Sequence, residues 1–507
     1  MRSIWRLPID SILDIKGVLK SDLLKTPNSL STTRANPLSS TLAVSHAVLL
    51  TGSQILRRGL RVVFALVAAR TLGPEQFGIY ALLIALVELL NIASGSGFAD
   101  YLSRESAKDA RTGWGLVSRL VLLRLIYAAA FGTALIAALR LLGYPRSVLI
   151  ASAWMYLALV PRSASEIVQG VLRGIGRYGL LVVVELILGL ALVLGAIVLL
   201  LHGGGLGFVI ATEVGGAFAA GLVALFMAFR LATVKRTQLS WPELVRKTYV
   251  FNVYPLVGSL YDRQDVLLLS KLVGNFATGI YSVAYRAMGM LQLVPYGVLY
   301  SLLPALSRGS CEGPEKQRLE KAMGLLLSVA FTLVLGTTVF AGPFVRLVVG
   351  DNYAESAAAA KILIWAVIPM YINFALNIAL LATGREKVFL TTSTVCLTFN
   401  LTANLILIPM FSWRAAAVVT VATELALLAQ NVYWIRRVLG WVPMPHGRWR
   451  MSVVFGGLLC AAIGAKLLES PLPIGAICVV VFVAYLFAAG MITEFGKVWH
   501  PERGSAA

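Results

Sequence analysis

Fourteen stretches of about 20 residues, each almost wholly apolar, follow one another through this chain. A hydrocarbon core about 30 Å thick is crossed by roughly 20 helical residues. The pattern therefore predicts an all-α polytopic membrane protein. The spans are 43–70, 78–99, 116–142, 148–171, 180–201, 206–229, 249–272, 278–304, 323–346, 357–383, 388–409, 414–435, 451–468 and 473–493. Bulk composition agrees: 58% of the 507 residues are hydrophobic and 13% charged, and the mean hydropathy is +0.81.

The net charge of +20 invites a nucleic-acid reading, and its distribution argues against one. Basic residues concentrate in alternate loops, as orientation in a bilayer requires. With the N-terminus inside, the cytoplasmic loops hold roughly 28 of the 44 Lys and Arg, and the outer loops together with the span ends beside them about 8. Arg230, Lys235, Arg236, Arg246 and Lys247 crowd one inner loop, and Arg436, Arg437, Arg448 and Arg450 another. An even number of spans returns the C-terminus to the cytoplasm.

Residues 1–42 lack the continuous apolar core of a signal peptide and are read as a cytoplasmic tail. Ile9, Ile12, Leu13, Leu19 and Leu23 suit one face of a short interfacial helix. Cys311, Cys396, Cys460 and Cys478 form no CxxC pair, and three lie in apolar runs, as small buried hydrophobes do. No Walker A sequence, HExxH motif or carboxylate-rich surface motif occurs, and the outer loops are short. The chain is read as a non-enzyme without cofactor or metal.

One segment repeats. ARTLGPEQFGIYALL (69–83) returns about 200 residues later as SKLVGNFATGIYSVA (270–284), placing Gly73 on Gly274, Gly78 on Gly279 and Ile79-Tyr80 on Ile280-Tyr281. Gly176-Arg177 is echoed by Gly384-Arg385. An offset of six spans gives two halves of the same orientation, related by an axis along the membrane normal. The expected organisation is a tail (1–42), an N-lobe of six helices (43–235), a C-lobe of six (236–440), and two further helices (441–507). Two facing lobes imply a central cavity for alternating access. The repeated stretch itself is read as an outer turn between helices, without chemistry of its own.

Several stretches resemble the polysaccharide-export flippases of the multidrug/oligosaccharidyl-lipid/polysaccharide exporter superfamily. LGPEQFGIYALL is similar to that family's first outer loop. YDRQDVLLLSKLVGNFATGIYSVAYRAMGM (261–290) with LLPALSR (302–308) resembles its central block, and LATGREK (381–387) with NLTANLILIPMF (400–411) a later one. Where the family usually places a glycine-rich turn after Ile408-Pro409, this chain has FSWRAAA. The resemblance implies movement of an undecaprenyl-diphosphate-linked oligosaccharide from the inner to the outer face of a bacterial cytoplasmic membrane. Exopolysaccharide, capsule and O-antigen remain equally open as its destination. It also implies polymerase and export proteins of the same pathway as partners.

Such a substrate needs cations inside a water-filled cavity, and arginine binds diphosphate through its planar fork. Arg57, Arg58 and Arg61 lie mid-span in segment one, and are read either as the diphosphate site or as snorkelling groups. Arg119 is read as snorkelling; Arg124 stays open between the two. Arg162 and Glu166, four apart and aligned with Gln169, either pair with each other or line the cavity. Asp262 and Asp265, three apart on segment seven, are candidates for ion or proton coupling, unless an acid there neutralises Arg263 or Arg286. Glu88 with Asn91, Glu185, Glu213 and Glu424 are read as interhelical hydrogen-bonding groups. Tyr254, Tyr261, Tyr285, Tyr296 and Tyr300 are compatible with sugar stacking and equally with interface belts. Two other functions compete: a cation-coupled drug antiporter of the same superfamily, and a non-transporting scaffold of an envelope complex.

Overall fold

The computed structural model describes residues 37–233, 239–308 and 313–445. Residues 1–36 of the N-terminal tail, the expected lobe boundary at 235/236, segments thirteen and fourteen, and the side chains of Tyr254, Tyr296 and Tyr300 lie outside the described residues, and residues 37–42 of the tail are helical. Each of the other twelve spans is helical.

The first two spans form one long, kinked helix, α1 (Pro37–Ala93). A short amphipathic α2 (Phe98–Lys108) leads into α3 (Ala110–Leu141). The fourth span divides into α4 (Arg146–Leu157) and α5 (Leu159–Gly174). The long apolar helices α6 (Tyr178–His202) and α7 (Leu206–Leu231) complete this half. The second half opens with α8 (Trp241–Leu272), followed by α9 (Asn275–Leu291) and α10 (Leu293–Arg308). Then come α11 (Gly313–Val349), α12 (Ala354–Leu363), α13 (Val367–Ala382), α14 (Glu386–Phe411) and α15 (Trp413–Leu439). Among the described residues nine helical stretches are long and apolar enough to cross a membrane. Their outer faces are apolar, as lipid demands: Leu190, Leu194 and Leu201 on α6 and Phe226 and Phe229 on α7 are exposed.

The turn between the first two spans shrinks to a single residue. Gly73 has φ 73° and ψ 168°, a conformation that side chains resist, and Pro74 starts the second arm of α1. Gly78 and Gly279, expected to ease tight turns, lie inside helices instead. Their small size serves contact between the halves. A Cβ on Gly78 would collide with the Asn275 carbonyl, and one on Gly279 with the Pro74 carbonyl. The two copies of the repeated segment thus pack directly on each other. Further turns recur in register with positive φ: Gly143 with Gly350, Gly176 with Gly384, and Gly203 with Ser412. Ser412 (φ 56°) belongs to the FSWRAAA turn, so a serine there takes the positive φ that glycine takes at Gly203.

Around this crossing sits a core shared by both halves, in which Phe64, Phe77, Tyr80, Tyr281, Tyr353 and Tyr371 are fully buried. A separate cluster of Phe98, Leu102, Leu116, Leu120, Ile167 and Val171 holds α2, α3 and α5 together in the first half. Cys396 is buried and free, with Gln430 as a neighbour.

Candidate functional site

At the end of the bundle that carries Gly73 and Gly274 the halves are in contact. Away from it they part around two connected chambers of about 300 and 630 Å³. The smaller lies within the first half, between α1, α5, α6 and α7, and extends to Asp100 and Arg173. The larger lies between the halves, walled by α1 and α5 on one side and α8 and α9 on the other. Arg57, Arg58, Arg61, Glu88 and Arg162 face both. The first arm of α1 supplies the three arginines, and the second arm returns Glu88 to a similar depth.

The arginine wall carries its own counter-ions. Arg57 pairs with Glu185 of α6. Arg162 pairs with Glu166 one turn along α5, at 3.3 Å. Glu88 meets Arg263 of α8 at 2.6 Å and Arg61 at 4.0 Å. Deeper on α5, Arg173 pairs with Asp100 at 2.9 Å. Glu213 accepts from the Tyr80 hydroxyl at 2.9 Å. Among the described residues, Arg58 and Arg286 are the arginines of the larger chamber with no carboxylate partner. Arg58 is exposed on α1. Arg286 lies over the Phe77 and Tyr80 rings, 5.5 and 5.4 Å from their centroids. Such stacking holds a guanidinium while leaving its N–H fork unused.

Several expectations are thereby corrected. Arg162 and Glu166 were alternatives between pairing and lining; they do both. Arg124 does not reach either chamber. It is 0% exposed, because α3 presents it to α1 and α5, where it donates to Glu166 Oε2 and Asn91 Oδ1, each at 2.6 Å. Its place is behind the wall, fixing Glu166. Arg119 donates to the Leu239 carbonyl and lies over Trp241.

Asp262 and Asp265 separate. Three residues advance a helix by about 300°, so their directions differ by about 60°, and α8 stands where the cavity meets the second half's interior. Asp262 lines the larger chamber with Tyr285. Asp265 is buried on the other side, accepting from Tyr281 at 2.6 Å, Asn404 at 2.8 Å and Thr420 at 3.3 Å. Gln264, Asn400 and Thr423 extend that network. Its partners are all neutral, and the buried oxygens Gln264 Oε1 and Asn404 Oδ1 have no hydrogen-bond donor. Arg263 is neutralised by Glu88 of the other half, and Arg286 by neither aspartate. Glu424 does hold to the interhelical reading, bonded by Asn373 at 3.0 Å and Tyr261 at 3.4 Å.

Glu88, Glu185 and Glu213 are the cavity residues that sequence reasoning set aside. Their signal was depth: Arg61 and Glu88 lie at comparable distances on either side of the Gly73 turn, so two adjacent arms bring them level.

Known proteins resemble this chain at three levels. The family model described as "Polysaccharide biosynthesis protein" matches residues 43–310. The probable low-salt glycan biosynthesis flippase Agl15 of Haloferax volcanii is 22% identical over 378 residues, spanning 73% of this chain and 78% of that one. Among solved structures, a lipid II flippase MurJ in an inward closed conformation superimposes with TM-score 0.70 at 11% identity, covering 90% of this chain and 99% of the other. An inward-facing multidrug resistance MATE transporter of the MOP superfamily gives TM-score 0.60 at 13% identity, covering 76% and 95%. At such identities the likeness shows the fold alone, that of a polytopic all-α membrane protein.

Proposed function

Because the chain belongs to the polysaccharide biosynthesis protein family, we propose that it flips a lipid-linked oligosaccharide across the cytoplasmic membrane. The substrate is an undecaprenyl-diphosphate-linked repeat unit for exopolysaccharide, capsule or O-antigen. The reading is supported by the name of the Haloferax volcanii relative and, above all, by one observation. Arg58 and Arg286 face the larger chamber from opposite halves without carboxylate partners, so an anion between them engages both lobes at once.

The diphosphate takes those two guanidinium groups first, and the glycan occupies the chambers while the polyprenyl tail stays in lipid. The lobes, taken as 43–235 and 236–440, rock about the crossing of Gly78 and Gly279. With the N-terminus inside, the contacts at Gly73 and Gly274 close the outer face, and the cavity is the inward-open one. Asp265 carries the coupling: a carboxylate among neutral donors and two unsatisfied oxygens suits a proton or small monovalent cation. Asp262, on the cavity wall, is the lesser candidate. No covalent bond is made or broken, so no catalytic group is needed. Polymerase and export proteins of the same pathway consume the flipped product.

A deletion strain complemented with Arg58→Ala/Arg286→Ala tests the proposal. It should accumulate lipid-linked oligosaccharide at the inner leaflet while the protein remains in the membrane. Normal surface polysaccharide from stable double mutant would refute the site, and sensitivity to cationic dyes with intact polysaccharide would identify a drug antiporter instead.

A further inference from the structure

Glu88 is a residue of both chambers that the diphosphate reading leaves without a task. Its carboxylate stands on the second arm of α1, 26% exposed, between Arg61 of the same half and Arg263 of the other. Among the described residues, Glu88–Arg263 is the one ion pair that joins the two halves. The remaining arginine–carboxylate pairs of the chambers stay within the first half. The placement matters because a flippase must make two journeys. It crosses loaded in one direction, and it must return empty. On the return the chamber narrows around guanidinium groups that have lost their anion, and an uncompensated charge in a closing, drying cavity is strongly unfavourable.

Resting on that reading, we infer that Glu88 is a resident counter-ion that stands in for the substrate during the empty return. When a diphosphate enters, its oxyanions offer the guanidinium forks paired, charge-assisted bonds that one carboxylate cannot match. Arg61 and Arg263 exchange Glu88 for the substrate, and the ion pair between the halves is replaced by the substrate itself. After release on the far side, Glu88 returns to Arg263 and again joins the two halves. Glu185 and Glu166 do not serve this purpose, because their arginines belong to their own half and move with them.

The role separates binding from turnover. In Glu88→Gln the arginines lack their competitor, so the empty protein binds a diphosphate more tightly and fails to return without one. The probes are farnesyl diphosphate for binding, and a fluorescent farnesyl-diphosphate-linked N-acetylglucosamine for transport, with the full chain in nanodiscs and in proteoliposomes. Glu88→Gln should bind farnesyl diphosphate about tenfold tighter. Net flux into empty vesicles should fall about tenfold or more, while exchange between vesicles holding probe on both sides stays within about twofold of wild type. Glu88→Asp should keep binding and flux near wild type. Unchanged or weaker affinity in a Glu88→Gln protein of normal thermal stability, or a parallel loss of exchange and net flux, overturns the inference. A wild type that neither binds nor moves the probes overturns the diphosphate reading beneath it instead.

Discussion

Arg70 and Lys271 hold matched places in the two copies of the repeated segment, and each donates to a backbone carbonyl of the opposite half. Arg70 reaches the Leu347 carbonyl at 2.7 Å in the last turn of α11, and Lys271 the Leu142 carbonyl at the end of α3. The preceding residues repeat the reciprocity. Tyr353 donates to the Ala69 carbonyl at 2.9 Å, and the Tyr144 hydroxyl meets Ser270 at 3.4 Å. Helix ends present unpaired carbonyls and a partial negative charge, so a cation there satisfies both. The internal repeat is therefore also a two-fold latch.

Removing both cations should loosen that latch. Each is worth about 0.3–1 kcal/mol at an exposed helix end, so Arg70→Ala/Lys271→Ala should move the equilibrium between closed and open ends by about 3- to 30-fold. Spin labels on the ends of α3 and α11 should then show a longer distance component. An unchanged distance distribution would remove the latch from the mechanism.

The crossing of the repeated segments should tolerate no added side chain. Gly78→Leu or Gly279→Leu drives a side chain into backbone carbonyl groups that cannot move without separating the helices. Overpacking of this kind costs about 1–3 kcal/mol or more, and transport should be lost. Gly336→Ala on α11, where no neighbour stands within 4 Å, should behave as wild type in the same export assay.

Arg124 and Arg58 should fail in different ways. Arg124→Leu takes a fully buried guanidinium and its 2.6 Å bonds to Glu166 and Asn91 out of the frame behind the wall, leaving Glu166 paired with Arg162. The expected result is a large drop in Tm and in the amount of protein in the membrane. Arg58→Ala removes an exposed, unpaired group. It should leave Tm within a few degrees and weaken farnesyl diphosphate binding about 10- to 100-fold. Equal loss of stability in both would contradict the assignment of Arg124 to the frame and Arg58 to the ligand.

Asp265→Asn should uncouple the cycle without unfolding the protein, since Tyr281, Asn404 and Thr420 can all bond an amide. An ion held at about 100 times its dissociation constant stabilises a protein by about 2.7 kcal/mol. Wild-type Tm should therefore respond to sodium, against potassium at equal ionic strength, or to protons, and Asp265→Asn should lose that response. The same response retained in Asp265→Asn would place the coupling elsewhere.

What could be read along the chain was what depends on local periodicity. Apolar runs of membrane length specify helices because the bilayer offers no other partner for the backbone, and twelve of the predicted spans are helical where the structure describes them. The repeat was legible because both copies need glycine at the same two places. The purpose of one of them was not, since Gly78 meets Gly279 only once the halves are packed.

The charges divide in the same way. Arg57, Arg58 and Arg61 were visible as arginines in an apolar run, which is an unfavourable place for a cation without a reason to be there. Which carboxylate answers which arginine depends on helix rotation and crossing, and on neither does sequence spacing report. Glu88 joins Arg263 across the cavity, and Asp262 and Asp265 part because α8 has the cavity on one side and packed protein on the other. Sequence alone determined that this chain spans a membrane in repeated halves and carries arginines within it. The tertiary structure decided which of those arginines have a carboxylate partner, because neutralisation is a matter of distance between helices.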